Sequence, residues 1–296
     1  MSEPFVQAAP AKINLALHVT RRRDDGYHDL ESLVVFADVA DELEARPAST
    51  DSLAITGPFA RGLNPNETNL VSRAVAAFRA KWPDAVKTPL ALRLVKNLPV
   101  AAGIGGGSAD AAAALRLMAG LSTQPISMAE LMAIAARLGA DVPACLVSLP
   151  LLAKGVGELL TPLPEFPACH IVLVNPMLPL PTADVFRRLR AHDNYPLPEL
   201  PSPLTRPAQL GIWLAETRND LQPPAVKLMP VIGDIVAHLE QTQGCILARM
   251  SGSGATVFGL FGSSGAAHQA AQVMRAANPD HWVAAAPLIA PEDVST

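Results

Sequence analysis

Lys12 and Asp141 are the two side chains whose settings suggest proton and phosphoryl chemistry. Lys12 stands inside the otherwise apolar stretch Ala8-Ala9-Pro10-Ala11-Lys12-Ile13-Asn14-Leu15. Asp141 follows an expected helix in Leu138-Gly139-Ala140-Asp141-Val142-Pro143, where a plain helix cap is the alternative role. If the two meet, the lysine keeps the carboxylate ionised and neutralises charge on a transferring phosphoryl group. The carboxylate then accepts the proton of an attacking hydroxyl. Such a reaction needs a cradle for phosphates. Pro99-Val100-Ala101-Ala102-Gly103-Ile104-Gly105-Gly106-Gly107-Ser108-Ala109 is the candidate, with a flexible turn as its bland alternative. Glycines permit positive φ and let a ligand approach the backbone. The helix expected to follow offers free N–H groups and a partial positive charge at its start. Ser108 is read as its N-cap, free also to face a phosphate or a metal.

The loop is not a P-loop, because no Gly-Lys-Ser/Thr follows, and Ser108 stands where a dinucleotide fingerprint has its third glycine. His-Arg-Asp and Asp-Phe-Gly are absent, which excludes the protein-kinase signature. Two further glycine turns, Ser251-Gly252-Ser253-Gly254-Ala255 and Gly155-Val156-Gly157-Glu158, read singly as hairpin loops and jointly as support for a shared anionic ligand.

The elements that must position these residues follow from periodicity and turn chemistry. Strands are expected over 12–19, 32–37, 41–45, 90–95, 170–175, 246–250, 256–261 and 282–286, with a turn at Asp24-Asp25-Gly26. Helices are expected over 69–81, 108–119, 127–138, 184–190, 226–239 and 266–277. Ser127 and Glu130 form a capping-box pattern. Residues 165–210 are crowded with prolines and read as a flexible crossing between domains. Mixed elements around such a zone predict a two-part α+β chain, divided as 1–160 and 161–296.

The chain has 296 residues, half of them hydrophobic, 17% charged and 4% aromatic, with a net charge of −4. That balance argues for a globular chain and against a nucleic-acid partner. Arg21-Arg22-Arg23 runs straight into Asp24-Asp25 and reads as a solvated turn. Cys145, Cys169 and Cys245 lack metal or redox spacing, as buried thiols of a reducing compartment would. No signal peptide is evident, and prolines interrupt the charge-free stretch 166–183, so the expectation is a cytoplasmic protein without a membrane span.

Taken together, Pro10 to Leu15, Pro99 to Ala109 and Ser251 to Ala255 resemble the three motifs of the GHMP kinase superfamily. Asp25-Gly26-Tyr27-His28, Leu138 to Pro143, Gly155 to Glu158, Asn175-Pro176, Pro181-Thr182 with Phe186, and Arg218-Asn219-Asp220-Leu221 are similar to the branch whose acceptor carries a cytosine. The resemblance implies a two-domain α+β GHMP kinase fold with its active site in a cleft. It also implies phosphoryl transfer from ATP to the 2-hydroxyl of a cytidine-diphosphate-linked methylerythritol, a step of the non-mevalonate isoprenoid route. Lys12 and Asp141 fall on the catalytic pair, Pro99 to Ala109 on the ATP loop, and Asn69 near the adenine. Asn14, Tyr27, His28, Thr182 and Phe186 fall on the acceptor site, with flat rings against the base. Mg²⁺ is expected with ATP, but no protein ligand is evident beyond the Ser108 hydroxyl. A monomer or weak homodimer is expected. The alternatives are a superfamily kinase for mevalonate, homoserine or a sugar, and a nucleotide-binding module without catalysis. One departure stands out: the family leads to a glycine near position 148, where this chain has Ser148-Leu149-Pro150-Leu151.

Overall fold

A computed structural model describes residues 4–291. The chain divides into two compact α+β units, each assembled from discontinuous segments. The first comprises the chain up to Ala11, Ala40–Val100 and Gly105–Val147; the second comprises Lys12–Val39, Ala101–Ile104 and the chain from Ser148 onward. The division therefore does not fall at a single point such as 160/161. The reason lies in two long strands, β1 (Phe5–Arg22) and β2 (His28–Pro47), which pair with each other and give residues to both units. Separate strands over 32–37 and 41–45 are thus one strand, since Asp38-Val39-Ala40 contains no glycine or proline to break it.

In the first unit, β3 (Ser52–Thr56) runs parallel to β4 (Leu90–Val95), and β4 pairs antiparallel with residues 42–47 of β2. Four helices belong to it: α1 (Leu70–Lys81), α2 (Gly106–Gly120), α3 (Met128–Leu138) and α4 (Val142–Val147). Helix α1 buries Val71, Ala74, Val75 and Phe78, the stripe its spacing predicts. Helix α2 is the centrepiece, packed against α1, α3 and α4. Its run Ala111-Ala112-Ala113-Ala114 is fully buried, and such small side chains let neighbouring helices approach closely. The capping box of Ser127 and Glu130 opens α3 as expected.

In the second unit, residues 30–34 of β2 pair with β5 (Leu151–Gly155), which turns through Val156-Gly157 into β6 (Leu159–Pro162). The turn at Gly155 to Glu158 is a tight hairpin, with the Gly157 N–H donating to the Lys154 carbonyl. A second sheet has the order β10-β7-β9-β8, from β7 (His170–Asn175), β8 (Cys245–Met250), β9 (Val257–Phe261) and β10 (Trp282–Pro287). Its helices are α5 (Thr182–Arg187), α6 (Pro207–Ala215), α7 (Gln222–Leu228), α8 (Val231–Glu240) and α9 (Ser264–Ala277). The single helix expected over 226–239 is two, parted at Met229-Pro230, where the proline cannot continue the hydrogen-bond ladder.

The proline-rich stretch is not a crossing between units, because everything from Ser148 onward lies in the second. It is fastened there: Asn194 N–H donates to Val19 O, Leu197 N–H to Glu31 Oε2, and Trp213 Nε1 to Glu199 O. Ser148 has φ +52°, a left-handed conformation that favours glycine and is adopted here by a serine. Among the described residues no helix is long and apolar enough to cross a membrane.

Candidate active site

The glycine loop follows β4 and changes hand repeatedly, with Ala101, Gly103 and Gly105 at φ +53°, +75° and +65°. Helix α2 begins at Gly106 with left-handed Gly105 as its N-cap, two residues earlier than expected. Ser108 is therefore the third helical residue, not the cap, and Gly120 is the last, not a stop beyond the end. The N–H groups of Gly106, Gly107 and Ser108 precede the first intrahelical bond, which Ala109 N–H makes to Gly105 O at 2.8 Å. Three N–H donors at the positive end of a 15-residue helix are the arrangement that suits an anion.

Three stretches far apart in sequence converge in the second unit. The Lys12 N–H donates to Ile104 O at 3.0 Å. Ser251 Oγ accepts from Asn14 N–H and donates to Gly103 O, both at 3.1 Å. Gly103 lies so close to the turn between β8 and β9 that a Cβ there would stand 2.6 Å from Gly254 O and 2.7 Å from Ser251 O. The turn Ser251 to Ala255 is thus a buttress for the loop rather than a free hairpin. Asn219, whose Nδ2 donates to both Met250 O and Gly252 O at 2.8 Å, holds it from the other side.

Lys12 and Asn14 are both buried. Asn14 Nδ2 donates to Ser32 Oγ at 2.7 Å, while its Oδ1 is buried with no partner among the described residues. Thr182, at the start of α5, shares a 2.7 Å hydrogen bond with Ser253. Around the second group of expected residues, the His28 ring lies tilted against Phe186, with centroids 5.1 Å apart. His192 completes the row at 5.1 Å, its Nδ1 3.2 Å from His28 Nε2. Tyr27 beside them is 66% exposed. Burial first, then the neighbouring His192 and Arg22, lower the His28 pKa.

The first unit holds the remaining expected residues. Asp141 stands half-buried at the head of α4, its carbonyl accepting from Cys145 N–H at 3.1 Å. Asn69 caps α1, its Oδ1 accepting from Val71 N–H at 2.9 Å. Beside it opens a cavity of about 850 Å³ lined by Pro65, Asn66, Glu67, Thr68, Ser72, Arg73 and Ala76. Pro99 is buried and Val100 half-exposed at the loop's entrance.

Sequence reasoning missed several supports. Lys96 sits between Asp41 and Asp110 beneath the start of α2. Burial pushes the Asp110 carboxyl up, to about 7, against the pull of the Lys96 ammonium. Buried Arg249 donates to the carbonyls of Leu15, Leu214 and Thr217 and to Thr217 Oγ1, and lack of solvent lowers its pKa to about 10. His192 had no local signal at all. His18 bonds Tyr195 O through Nδ1 and accepts Arg218 N–H at Nε2, while burial lowers its pKa. Two of the three cysteines, Cys145 and Cys169, are buried, and burial raises Cys169 to about 12 and Cys245 to about 11. Among the described residues no group of three or more His, Cys, Asp or Glu is arranged to hold a metal ion.

The family models match this architecture at both ends. Residues 69–148 match the GHMP kinases N terminal domain, and residues 202–280 match the GHMP kinases C terminal. The class is a small-molecule kinase that takes its phosphoryl group from ATP. A 4-diphosphocytidyl-2-C-methyl-D-erythritol kinase from Chelativorans sp. is 50% identical over 281 residues, 94% of each chain. A crystal structure of 4-(cytidine 5'-diphospho)-2C-methyl-D-erythritol kinase superposes with a TM-score of 0.76 at 34% identity, covering 96% of this chain and 99% of that one. A homoserine kinase from Cytophaga hutchinsonii, at 18% identity and a TM-score of 0.69, covers 98% of both chains and shares the fold. The chain belongs to the GHMP kinase family, in the branch of the 4-diphosphocytidyl-2-C-methyl-D-erythritol kinases.

Proposed function

We propose that the chain transfers the γ-phosphoryl of ATP to the 2-hydroxyl of 4-diphosphocytidyl-2-C-methyl-D-erythritol, with Asp141 as general base and Lys12 as its charge partner. One observation carries this reading. Ser251 Oγ ties Asn14 to Gly103, so the strand of Lys12, the phosphate loop and the third glycine turn form one hydrogen-bonded assembly. An isolated anion-binding turn would not need that construction.

In this reading the phosphates lie at the start of α2, where the N–H groups of Gly106, Gly107 and Ser108 stabilise charge as it moves to the leaving ADP. Pro99 to Ala109 form the ATP loop, and the cavity beside Asn69 supports placing the adenine there. Mg²⁺ bound with the nucleotide would offset charge on the phosphates, with the Ser108 hydroxyl as the protein group that would hold it. The hydroxyl of the acceptor loses its proton to Asp141 as the phosphoryl group arrives. The buried and unpartnered Asn14 Oδ1 supports an acceptor hydroxyl at that end, together with Thr182. His28 and Phe186 present ring faces for the cytosine, with exposed Tyr27 free to close on it. The reading includes a monomer or weak homodimer. It places the chain in the cytoplasm, which its free thiols support.

Asp141→Asn tests the assignment of the base. Turnover falls by about two to four orders of magnitude while ATP binding persists, as for loss of a general base. Near-normal turnover removes Asp141 from that role.

A further inference from the structure

Asp41, Lys96 and Asp110 form a cluster that the transfer reaction does not use. Their side chains are 0%, 4% and 6% exposed. Lys96 Nζ bonds Asp41 Oδ2 and, at 2.6 Å, Asp110 Oδ2. Two carboxylates share one ammonium, and they are not equivalent. Asp41 Oδ1 also accepts from Asn97 N–H at 2.6 Å and Leu98 N–H at 2.8 Å, so three donors serve it. Among the described residues Asp110 has the Lys96 donor alone, and its Oδ1 is buried without a partner. The uncompensated charge therefore falls on Asp110, which burial raises to about 7.

The cluster lies directly under the phosphate-binding turn. A Cβ on Gly106 would stand 3.6 Å from Lys96 Nζ and 3.7 Å from Asp41 Oδ2, and Asp110 belongs to the same helix. Among the described residues the flanking elements bring no other charge to it: on β2 Glu42 is exposed and Glu44 pairs with Arg93 of β4. Helix α4 has no charged residue. On α1, Arg79 pairs with Asp51, Lys81 pairs with Glu130 of α3, and Arg73 is exposed; Arg137 of α3 is exposed too. Arg116, further along α2, donates to Cys145 O and Ala8 O.

We propose that Asp110 is a positioning residue that takes up a proton when nucleotide phosphates dock at the start of α2. An ionised Asp110 and the phosphates compete for the same positive helix end and the same lysine. Docking favours the neutral carboxyl, so a proton moves from solvent to Asp110 and the cluster passes from a net charge of −1 to zero. The inference rests on the reading that ATP phosphates occupy this turn.

Titration calorimetry of Mg²⁺ and ADP into the full chain at pH 7, in two buffers of different ionisation enthalpy, measures the proton count. The chain takes up about 0.3 to 0.5 proton more per ADP than Asp110→Asn does, as linkage gives for a group half-titrated near neutrality. Its affinity relative to that variant falls about three- to tenfold from pH 6 to pH 8. Equal proton uptake overturns this inference alone. Absence of ADP binding by the unmodified chain overturns the ATP reading and this inference with it. If Asp110→Asn does not fold, ¹³C-carboxyl NMR of the unmodified chain decides. ADP shifts the Asp110 titration to higher pH, and an unmoved titration contradicts the proposal.

Discussion

The Lys12 backbone N–H donates to the Ile104 carbonyl at 3.0 Å, so the strand that carries the proposed catalytic lysine is bonded directly to the phosphate loop. The loop's position is in turn fixed by Ser251 through Gly103 O. Residues far apart in sequence, 148 positions in the case of Ser251 and Gly103, are held in one frame by single hydrogen bonds. The frame is backbone-rich, which suits a reaction that depends on geometry more than on covalent chemistry.

Gly103→Ala tests that frame. An alanine there adopts φ +75° at a strain of about 1–3 kcal/mol, and its Cβ meets backbone atoms that cannot rotate away. The variant loses at least about 1–3 kcal/mol in chemical denaturation. Its KM for ATP rises at least about tenfold, because the loop must shift to admit the methyl group. Unchanged stability and KM contradict the close packing of Gly103 on Gly254.

The pair His28 and His192 predicts a pH effect. Burial and two positive neighbours hold the His28 pKa below 6.5. A histidine with a lowered native pKa makes the unfolded chain bind more protons, so the stability it contributes is present above pH 6.5 and lost below it. Acceptor KM rises in that same acid range, where His28 becomes charged. In His192→Ala one positive neighbour is gone and the His28 titration moves up toward 6.5, followed by ring ¹H–¹⁵N NMR. An unmoved titration shows that the two rings are not coupled.

Arg249→Met predicts a structural loss. Met fills the volume but takes the Arg249 donor from the buried carbonyls of Leu15 and Thr217, while Leu214 O keeps the Thr217 N–H and Oγ1 donors. Each buried acceptor that loses its donor costs about 1–3 kcal/mol and the two are not strictly additive, so a total loss of at least about 2 kcal/mol is expected in urea denaturation. A loss below about 1 kcal/mol contradicts the role given to this residue.

Much of this was legible locally. The spacing of Val71, Ala74, Val75 and Phe78, the capping box at Ser127, and strands at 90–95 and 170–175 all follow from patterns within one element. The motifs of Lys12, the glycine loop and Ser251 were legible as stretches. Elements formed by pairing rather than pattern were not: β3, β5 and β6 are short and only half-buried. The break at Pro230 was overridden by a helical stripe that runs through it. Asp41 and Lys96 lie 55 residues apart and His28 and His192 lie 164 apart, so nothing local announces either group. Ser148 was not legible for another reason: a serine in the left-handed region carries no local signal of that conformation.

The most direct test is the purified chain assayed for ADP release against a panel of acceptors: 4-diphosphocytidyl-2-C-methyl-D-erythritol, mevalonate, homoserine and galactose. The account predicts turnover with the diphosphocytidyl compound at a kcat/KM at least about a hundredfold above every other acceptor, as recognition of a whole base allows. Turnover with mevalonate or homoserine and none with the diphosphocytidyl compound would contradict it.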